Sequence, residues 1–322
     1  MAYKRVLYDT MIHRLGCIMT KQHSLTLVIL AAGMGSRFGG LKQIEPVGTN
    51  HESIIDFTIY DAIKAGFNRL ILIIKKEHEE LFETNLVHKI RPFIHVEYAY
   101  QDIEFLTAHV LKPERVKPWG TTHALLSCKD LIDGPFMICN ADDYYGPNAF
   151  KSMANFLSNE VNHYEYAMMG YRLKNTTSEH GTVTRGVCTS KEGYLTQVDE
   201  IKDIRRSTSG HEYLKGDTWF PIDDEALVSM NFWGFDESIM SLAYDVFDAF
   251  LSTQALHDPL KAEHVLPTMI SQCLELEACK VKVLSSEDAW YGITYQEDRE
   301  RVVQALKQLK EEEVYPFDLW KQ

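Results

Sequence analysis

No apolar run in this sequence approaches the ~18 residues that carry a helix across a bilayer, so no membrane partner is expected. Cysteine is sparse and scattered: six residues, at 17, 128, 139, 188, 273 and 279, with no close pair at metal-ligand spacing. That pattern argues against a zinc ribbon or a disulfide framework, and for small core residues in a reducing, cytoplasmic compartment. Basic side chains are outnumbered, 33 Lys plus Arg against 46 Asp plus Glu, for a formal charge of −13. Such a surface repels polyanions unless it carries a basic patch. The clusters at 75–76 and 205–206 are short and flanked by acids, so nucleic acid is not an expected partner. The two best-known phosphate fingerprints are missing as well: no Gly-Lys-Ser/Thr ends the glycine-rich stretch at 27–43, and Phe38 breaks a Gly-x-Gly-x-x-Gly spacing. Internal repeats are absent.

What the chain does carry is that stretch itself, LVILAAGMGSRFGGLKQ. Its first four residues form an apolar run of the kind a buried parallel strand shows, and Gly33, Gly35, Gly39 and Gly40 follow at once. A chain that turns directly out of a buried strand favours glycine where a Cβ would clash. Backbone amides exposed by such a turn, with Arg37 and Lys42 beside them, make a cradle for a phosphate chain. Two glycines two apart after a strand also occur in α/β proteins of every function, so spacing alone does not decide the matter.

The remaining pattern alternates. Helical periodicity over 53–65 ends at Gly66, and short apolar strands over 70–74 and 96–99 flank a helix over 77–89. A helix begins at Gly120-Thr121, and a strand over 135–139 runs into Asn140-Ala141-Asp142-Asp143. Adjacent acids at the end of a buried strand are costly unless a cation, water or partner compensates them. A helix over 148–159 and a strand over 166–172 come next, then a hairpin turning at Gly193, a polar excursion over 206–220 read as mobile, and a strand over 226–235. Helices over 236–251, 262–274 and 296–309 and a strand over 280–284 complete the chain. This order predicts an α/β protein: a mostly parallel, mixed central sheet with helices on both faces and a β-rich excursion. Residues 1–22 read as a leader, either a flexible arm or a start assigned too early. Residues 23–322 read as one domain, with a nucleotide-binding half over 23–146 and an acceptor-binding half over 165–295.

With the loop and Asp142 in hand, the chain resembles the sugar-nucleotide pyrophosphorylases, nucleotidyltransferases that join a sugar 1-phosphate to a nucleoside triphosphate. Leu30, Ala31, Ala32, Gly33, Met34, Gly35, Ser36 and Arg37 carry the strongest likeness. The resemblance implies a Rossmann-like nucleotidyltransferase fold in which this loop wraps the triphosphate, Arg37 lies on the phosphates and Lys42 contacts the phosphate being transferred. Gly120 and Thr121 resemble the segment beside the base, Gln101 falls where a base-reading glutamine lies, and Asp142 matches the strand-end aspartate that holds Mg²⁺. Gly181 resembles the glycine near the sugar ring, Glu200 the acid on the sugar hydroxyls and Lys202 the lysine on the sugar phosphate, although here Ile201 separates the last two. One departure stands out: the place of a second metal aspartate falls on Gly292, leaving Asp288 or Asn231 as candidates to complete the shell. Asp288 also reads as a helix N-cap or surface acid, and Asp143 as an acid supporting the metal ligands from behind or, in preference, a helix or turn cap.

The implied reaction joins two anions, so the protein must neutralise charge and align them. No general base is needed, because a phosphate monoester is already largely ionised near neutral pH. UTP with a sugar 1-phosphate is the leading pair of substrates. A cytidylyltransferase acting on phosphocholine or a polyol phosphate is one alternative, kept open by Trp219 and Phe220, and a nucleotide-sensing or scaffold protein is another. Monomer and homo-oligomer both remain open.

Overall fold

The computed structural model describes residues 24–33, 44–293 and 295–321. The leader and much of the glycine-rich loop, including Met34, Gly35, Ser36, Arg37 and Lys42, lie outside the described residues.

Four parallel strands form the first half of the sheet. They are β1 (Thr26–Leu30), β2 (Arg69–Ile74), β3 (His95–Tyr100) and β4 (Phe136–Asn140), in spatial order β4, β1, β2, β3. Both faces of these strands are covered, which is why they read as continuous apolar runs rather than alternating ones. Along β1, Leu27 and Ile29 enter one core while Val28 enters the other. The first core is closed by α1 (Ile54–Ala65), the helical run over 76–90 and α2 (Pro147–Asn159). The opposite core is closed by the short helix Thr121–Leu126 and by α3 (Ile239–Leu251) and α4 (Leu266–Glu275). Local signals set the ends of α1: the Asp56 carboxylate accepts the Ser53 amide at 2.7 Å, and Gly66, at φ +106°, closes the helix in the left-handed region. The run over 76–90 is helical as expected but passes through a π turn at Glu83–Val87.

The second half is antiparallel-rich. A two-residue strand β5 (Asp143–Tyr144) follows β4, and then come β6 (Glu165–Arg172), β7 (Val183–Lys191), β8 (Tyr194–Ser207), β9 (Gly210–Lys215), β10 (Thr218–Ile222), β11 (Leu227–Phe235) and β12 (Lys280–Ser285). Strand β11 inserts antiparallel between β4 and β6, and this makes the sheet mixed. The excursion expected over 206–220 is instead the hairpin β9–β10, which extends the sheet from β8 to its edge. It is hard to see in sequence because all but one of its residues stay exposed or only half-buried, with Tyr213 against Phe220, Arg205 over Trp219, and Tyr213 and Ile222 at the rim of the first core. A small second sheet pairs β5 with β13 (Tyr291–Gly292), and the last helix, α5 (Asp298–Glu311), packs over a third apolar cluster around Phe57, Tyr144 and Tyr315. Among the described residues no helix is long and apolar enough to cross a membrane.

Candidate active site

Strand β1 hands the chain to β2 on one side and pairs with β4 on the other, so a crevice opens at the carboxyl ends of β1 and β4. In open α/β sheets such a switch point is where ligands bind. Leu30 stands opposite Asn140, and the Ala141 amide donates to the Leu30 carbonyl at 3.3 Å. The strand leading into the glycine-rich loop and the one leading into Asp142 therefore end side by side. Leu30 is half-buried, Ala31 and Ala32 are buried, and Gly33 is exposed. A Cβ at Gly33 would meet nothing within 4 Å among the described residues, so the clash expected of this glycine is not seen there.

A cleft of about 380 Å³ opens beyond the end of β4, and Thr121, Asn140, Asp142, Asp143, Arg185, Glu200, Asn231 and Trp290 are among its lining residues, whereas Leu30, Ala31, Ala32 and Gly33 are not. Asn231 lies in β11 at φ +58°, in the left-handed region that asparagine tolerates, where the register with β6 shifts between Ser229 and Trp233. The break turns its side chain toward β4, and its Nδ2 donates to Asn140 Oδ1 at 3.3 Å. Among the described residues the other end of that amide, Oδ1, is buried with no hydrogen-bond partner.

Asp143 is only 7% exposed. Its Oδ2 accepts from Asn140 Nδ2 at 2.8 Å and lies 3.2 Å from the Tyr145 hydroxyl, which also stands 2.9 Å from the Met230 carbonyl and accepts the Asn140 amide. Tyr145 is thus a buried tie between β4 and β11. Across the small second sheet Asp143 pairs with Gly292, and a Cβ at Gly292 would come within 2.8 Å of Asp143 Oδ1 and 2.3 Å of the Trp290 ring. The Trp290 ring, with the Asp143 carboxylate beside it, therefore occupies the space into which a side chain at 292 would project. Asp143 thus sits between the end of β4 and the small second sheet. The sequence did carry a signal for it: two acids at a strand end, and a glycine where the resemblance wants an acid.

Asp288 takes the helix N-cap that was one of the two readings expected of it. Its Oδ2 accepts the backbone amides of Asn148 and Ala149 at 2.6 and 2.9 Å, and its Oδ1 accepts Asn148 Nδ2 at 2.9 Å. It caps the N-terminus of α2 from a distant segment and is not among the residues lining the cleft.

Arg185 was not foreseen. It is 9% exposed, and burial lowers its guanidinium to about 10, opposed by the charges of Asp143 and Asp298. Its donors reach the backbone carbonyls of Thr176 and Thr184, and it stands 5.1 Å over the Trp290 ring. Of the expected acceptor residues, Glu200 lines the cleft. Lys202 is exposed beside a bulge and is not among the lining residues, and Gly181 is held close to the Tyr295 ring, 2.5 Å from its hydroxyl for a Cβ.

A second cleft of about 630 Å³ lies at the carboxyl ends of β2 and β3, lined by Lys75, Tyr100, Gln101, Arg115, Pro118 and His123 among others. The segment 118–123 separates the two clefts, with Thr121 facing one and Pro118 and His123 the other. Gly120 makes that wall possible: at φ +99°, its Cβ position falls 2.3 Å from the His264 carbonyl, where only glycine fits. Thr121 Oγ1 in turn accepts the Leu266 amide at 2.8 Å.

Comparison with known proteins decides the class, because the family model described as nucleotidyl transferase matches residues 26–203. The chain belongs to the nucleotidyl transferase family. Solved members of this fold overlay it nearly end to end. An inositol-1-phosphate CTP transferase from T. maritima is 14% identical, with a TM-score of 0.62 over 90% of this chain and 98% of its own. A UDP-glucose pyrophosphorylase complexed with UDP-glucose is 15% identical, with a TM-score of 0.54 over 87% and 97%. No curated protein sequence matches at a significant level. At these identities the likeness establishes the Rossmann-like nucleotidyltransferase fold, and the nucleotidyl transferase class comes from the family match.

Proposed function

We propose that this nucleotidyl transferase joins a nucleoside triphosphate, UTP first, to a sugar 1-phosphate and releases pyrophosphate. An oxygen of the acceptor phosphate forms a bond to the α-phosphorus, and the bond from that phosphorus to the oxygen bridging to the β-phosphate breaks. The electron pair leaves with pyrophosphate. In this reading the switch-point cleft holds the reacting phosphates and the cleft beside Gln101 holds the base. Arg37 and Lys42 neutralise the triphosphate from the loop, and Glu200 accepts from acceptor hydroxyls.

The observation that carries the reading is the donor set of the first cleft. Among the described residues no three His, Cys, Asp or Glu side chains converge. Asp142, Asp143 and Asn231 nevertheless line one cleft, and the Asn231 carbonyl oxygen is buried with no hydrogen-bond partner among the described residues. Two carboxylates and an amide oxygen are hard ligands, few in number, and they fit Mg²⁺, which keeps much of its shell for water and phosphate. When bound there, Mg²⁺ would offset the charge of the phosphates. Asp142, Asp143 and Asn231 would hold it, with Asp288 spent on its helix.

The acceptor is an anion in this reading because a buried arginine lines the cleft. A choline head would need an open aromatic cage, but the Trp290 face already carries Arg185, and Trp219 stacks with Arg205 in the β9–β10 hairpin. A polyol phosphate suits the same cleft as a sugar phosphate. The test is a pyrophosphate-release screen crossing the four common nucleoside triphosphates with sugar 1-phosphates, inositol 1-phosphate and phosphocholine. At least one sugar or polyol pairing should turn over, and only with a divalent cation. Silence of every pairing at high enzyme concentration would turn the reading toward a nucleotide sensor.

A further inference from the structure

In the second cleft the side-chain amide of Gln101 is held in one orientation. Its Nε2 donates to the Gly120 carbonyl at 3.1 Å and lies 3.4 Å from His123 Nδ1. His123 is fully buried, and its Nε2 lies 2.8 Å from the Phe105 carbonyl. A carbonyl only accepts, so that nitrogen carries the ring proton and Nδ1 presents a lone pair. Burial lowers the imidazole below its ordinary range, opposed by the Phe105 bond, which favours the neutral ring this arrangement needs. The ring cannot easily turn: it stacks on Phe247 with centroids 5.5 Å apart, and Phe105 lies at 6.0 Å on a tilted approach.

Both amide protons of Gln101 are thereby committed, one to Gly120 and one to His123. Flipping the amide would set its carbonyl oxygen against two acceptors at once. What Gln101 can offer a ligand is Oε1, an acceptor. We propose that His123 locks Gln101 as an acceptor-only reader, so that the cleft takes a nucleoside triphosphate whose base presents an N–H to it. The imide N–H of uracil or thymine and the lactam N–H of guanine meet this condition. Cytosine and adenine present a ring-nitrogen lone pair in the corresponding place and are disfavoured. The inference rests on the assignment of this cleft to the base. His123 is a positioning residue in it, acting through Gln101 without touching the substrate.

The test is calorimetric binding of UTP, CTP, GTP and ATP, each with Mg²⁺, to the full chain and to its His123→Leu variant. The wild type should bind UTP at least about tenfold tighter than CTP, the cost of leaving one buried acceptor facing another. In His123→Leu, which removes one of the two acceptors that oppose a flipped amide and leaves only the Gly120 carbonyl, the preference should fall to within about threefold. A destabilised but otherwise unaltered cleft would weaken all four ligands together and leave their ratio unmoved. A wild type that prefers CTP or ATP, or a variant that keeps the uracil preference, overturns the lock while nucleotidyl transfer stands. A wild type that binds no triphosphate removes the assignment of the cleft and the lock with it. Should the variant not fold, ¹⁵N NMR of the wild-type histidines decides: His123 protonated on Nε2 is the expected tautomer, and protonation on Nδ1 overturns the proposal.

Discussion

Asp142 and Asp143 are neighbours in sequence with different surroundings. Asp142 is half-buried in the cleft, whereas Asp143 is buried against Asn140, Tyr145 and the backbone of Gly292. If both serve the phosphates through Mg²⁺, their loss should read differently. Asp142→Ala removes a charge needed in the transition state and should lower turnover by about 10²- to 10³-fold. Asp143→Asn keeps the shape and one acceptor, so its main effect should be a rise of about tenfold or more in the Mg²⁺ concentration giving half-maximal rate. Titrating the metal in steady-state assays of both variants checks this, and an unchanged metal requirement in Asp143→Asn would return that residue to a purely structural role.

Among the elements, α2 depends on a cap supplied from far along the chain. Its first residue, Pro147, has no amide to satisfy, and the amides of Asn148 and Ala149 both point at Asp288. Gly146, at φ +87°, packs so close to Asp288 that a Cβ there would fall 2.3 Å from its Cβ. Asp288→Ala should therefore cost about 1–2 kcal/mol of stability, in the range of lost N-caps, and leave the Mg²⁺ requirement of the reaction unchanged. Urea unfolding together with a metal titration separates the two roles. A shifted metal requirement at unchanged stability would mean that Asp288 belongs to the site after all.

Over the whole molecule, the C-terminal residues are bound to α1 and the residues just before it by polar contacts in a largely apolar setting. The Lys310 ammonium meets the Glu52 carboxylate at 2.5 Å with both side chains buried, and the Trp320 indole donates to Asp56 at 2.8 Å. The Tyr315 hydroxyl donates to Asp61 at 2.7 Å and lies 2.8 Å from that of Tyr144 in β5. Burial lifts the Asp61 carboxyl to about 8, with the Tyr315 hydrogen bond opposing, the charge of Asp288 adding and that of Lys151 opposing. The folded state thus keeps a proton that the unfolded chain, with an ordinary value of 3.8, gives up. Stability from this group is present at acid pH and is lost as pH rises from roughly 4 to 8, by at most about 1.4 kcal/mol per pH unit. Asp61→Asn should flatten that dependence, so that urea midpoints at pH 5 and pH 8 differ less in the variant than in the parent. Parallel losses in the two proteins would show that Asp61 is already ionised in the fold.

Much of this was legible from residues 27–33 and 136–142 alone. An apolar run with both faces buried and a glycine or an acid at its end marks a parallel strand and its carboxyl edge, because the pattern of burial is local to each strand. The alternation of strands and helices extended this to the class of fold. Three things needed the tertiary structure. The β9–β10 hairpin draws its order from pairing with β8, a contact with little apolar trace in its own residues. The surroundings of Asp143 and Asp288 could not be read because Gly292 and the start of α2 lie some 140 positions or more away along the chain, and only folding reveals which carboxylate faces which partner. Arg185 and the His123–Gln101 pair belong to the same kind. A side chain's chemistry is written in the sequence, but its protonation, orientation and neighbours are set by groups brought to it from elsewhere.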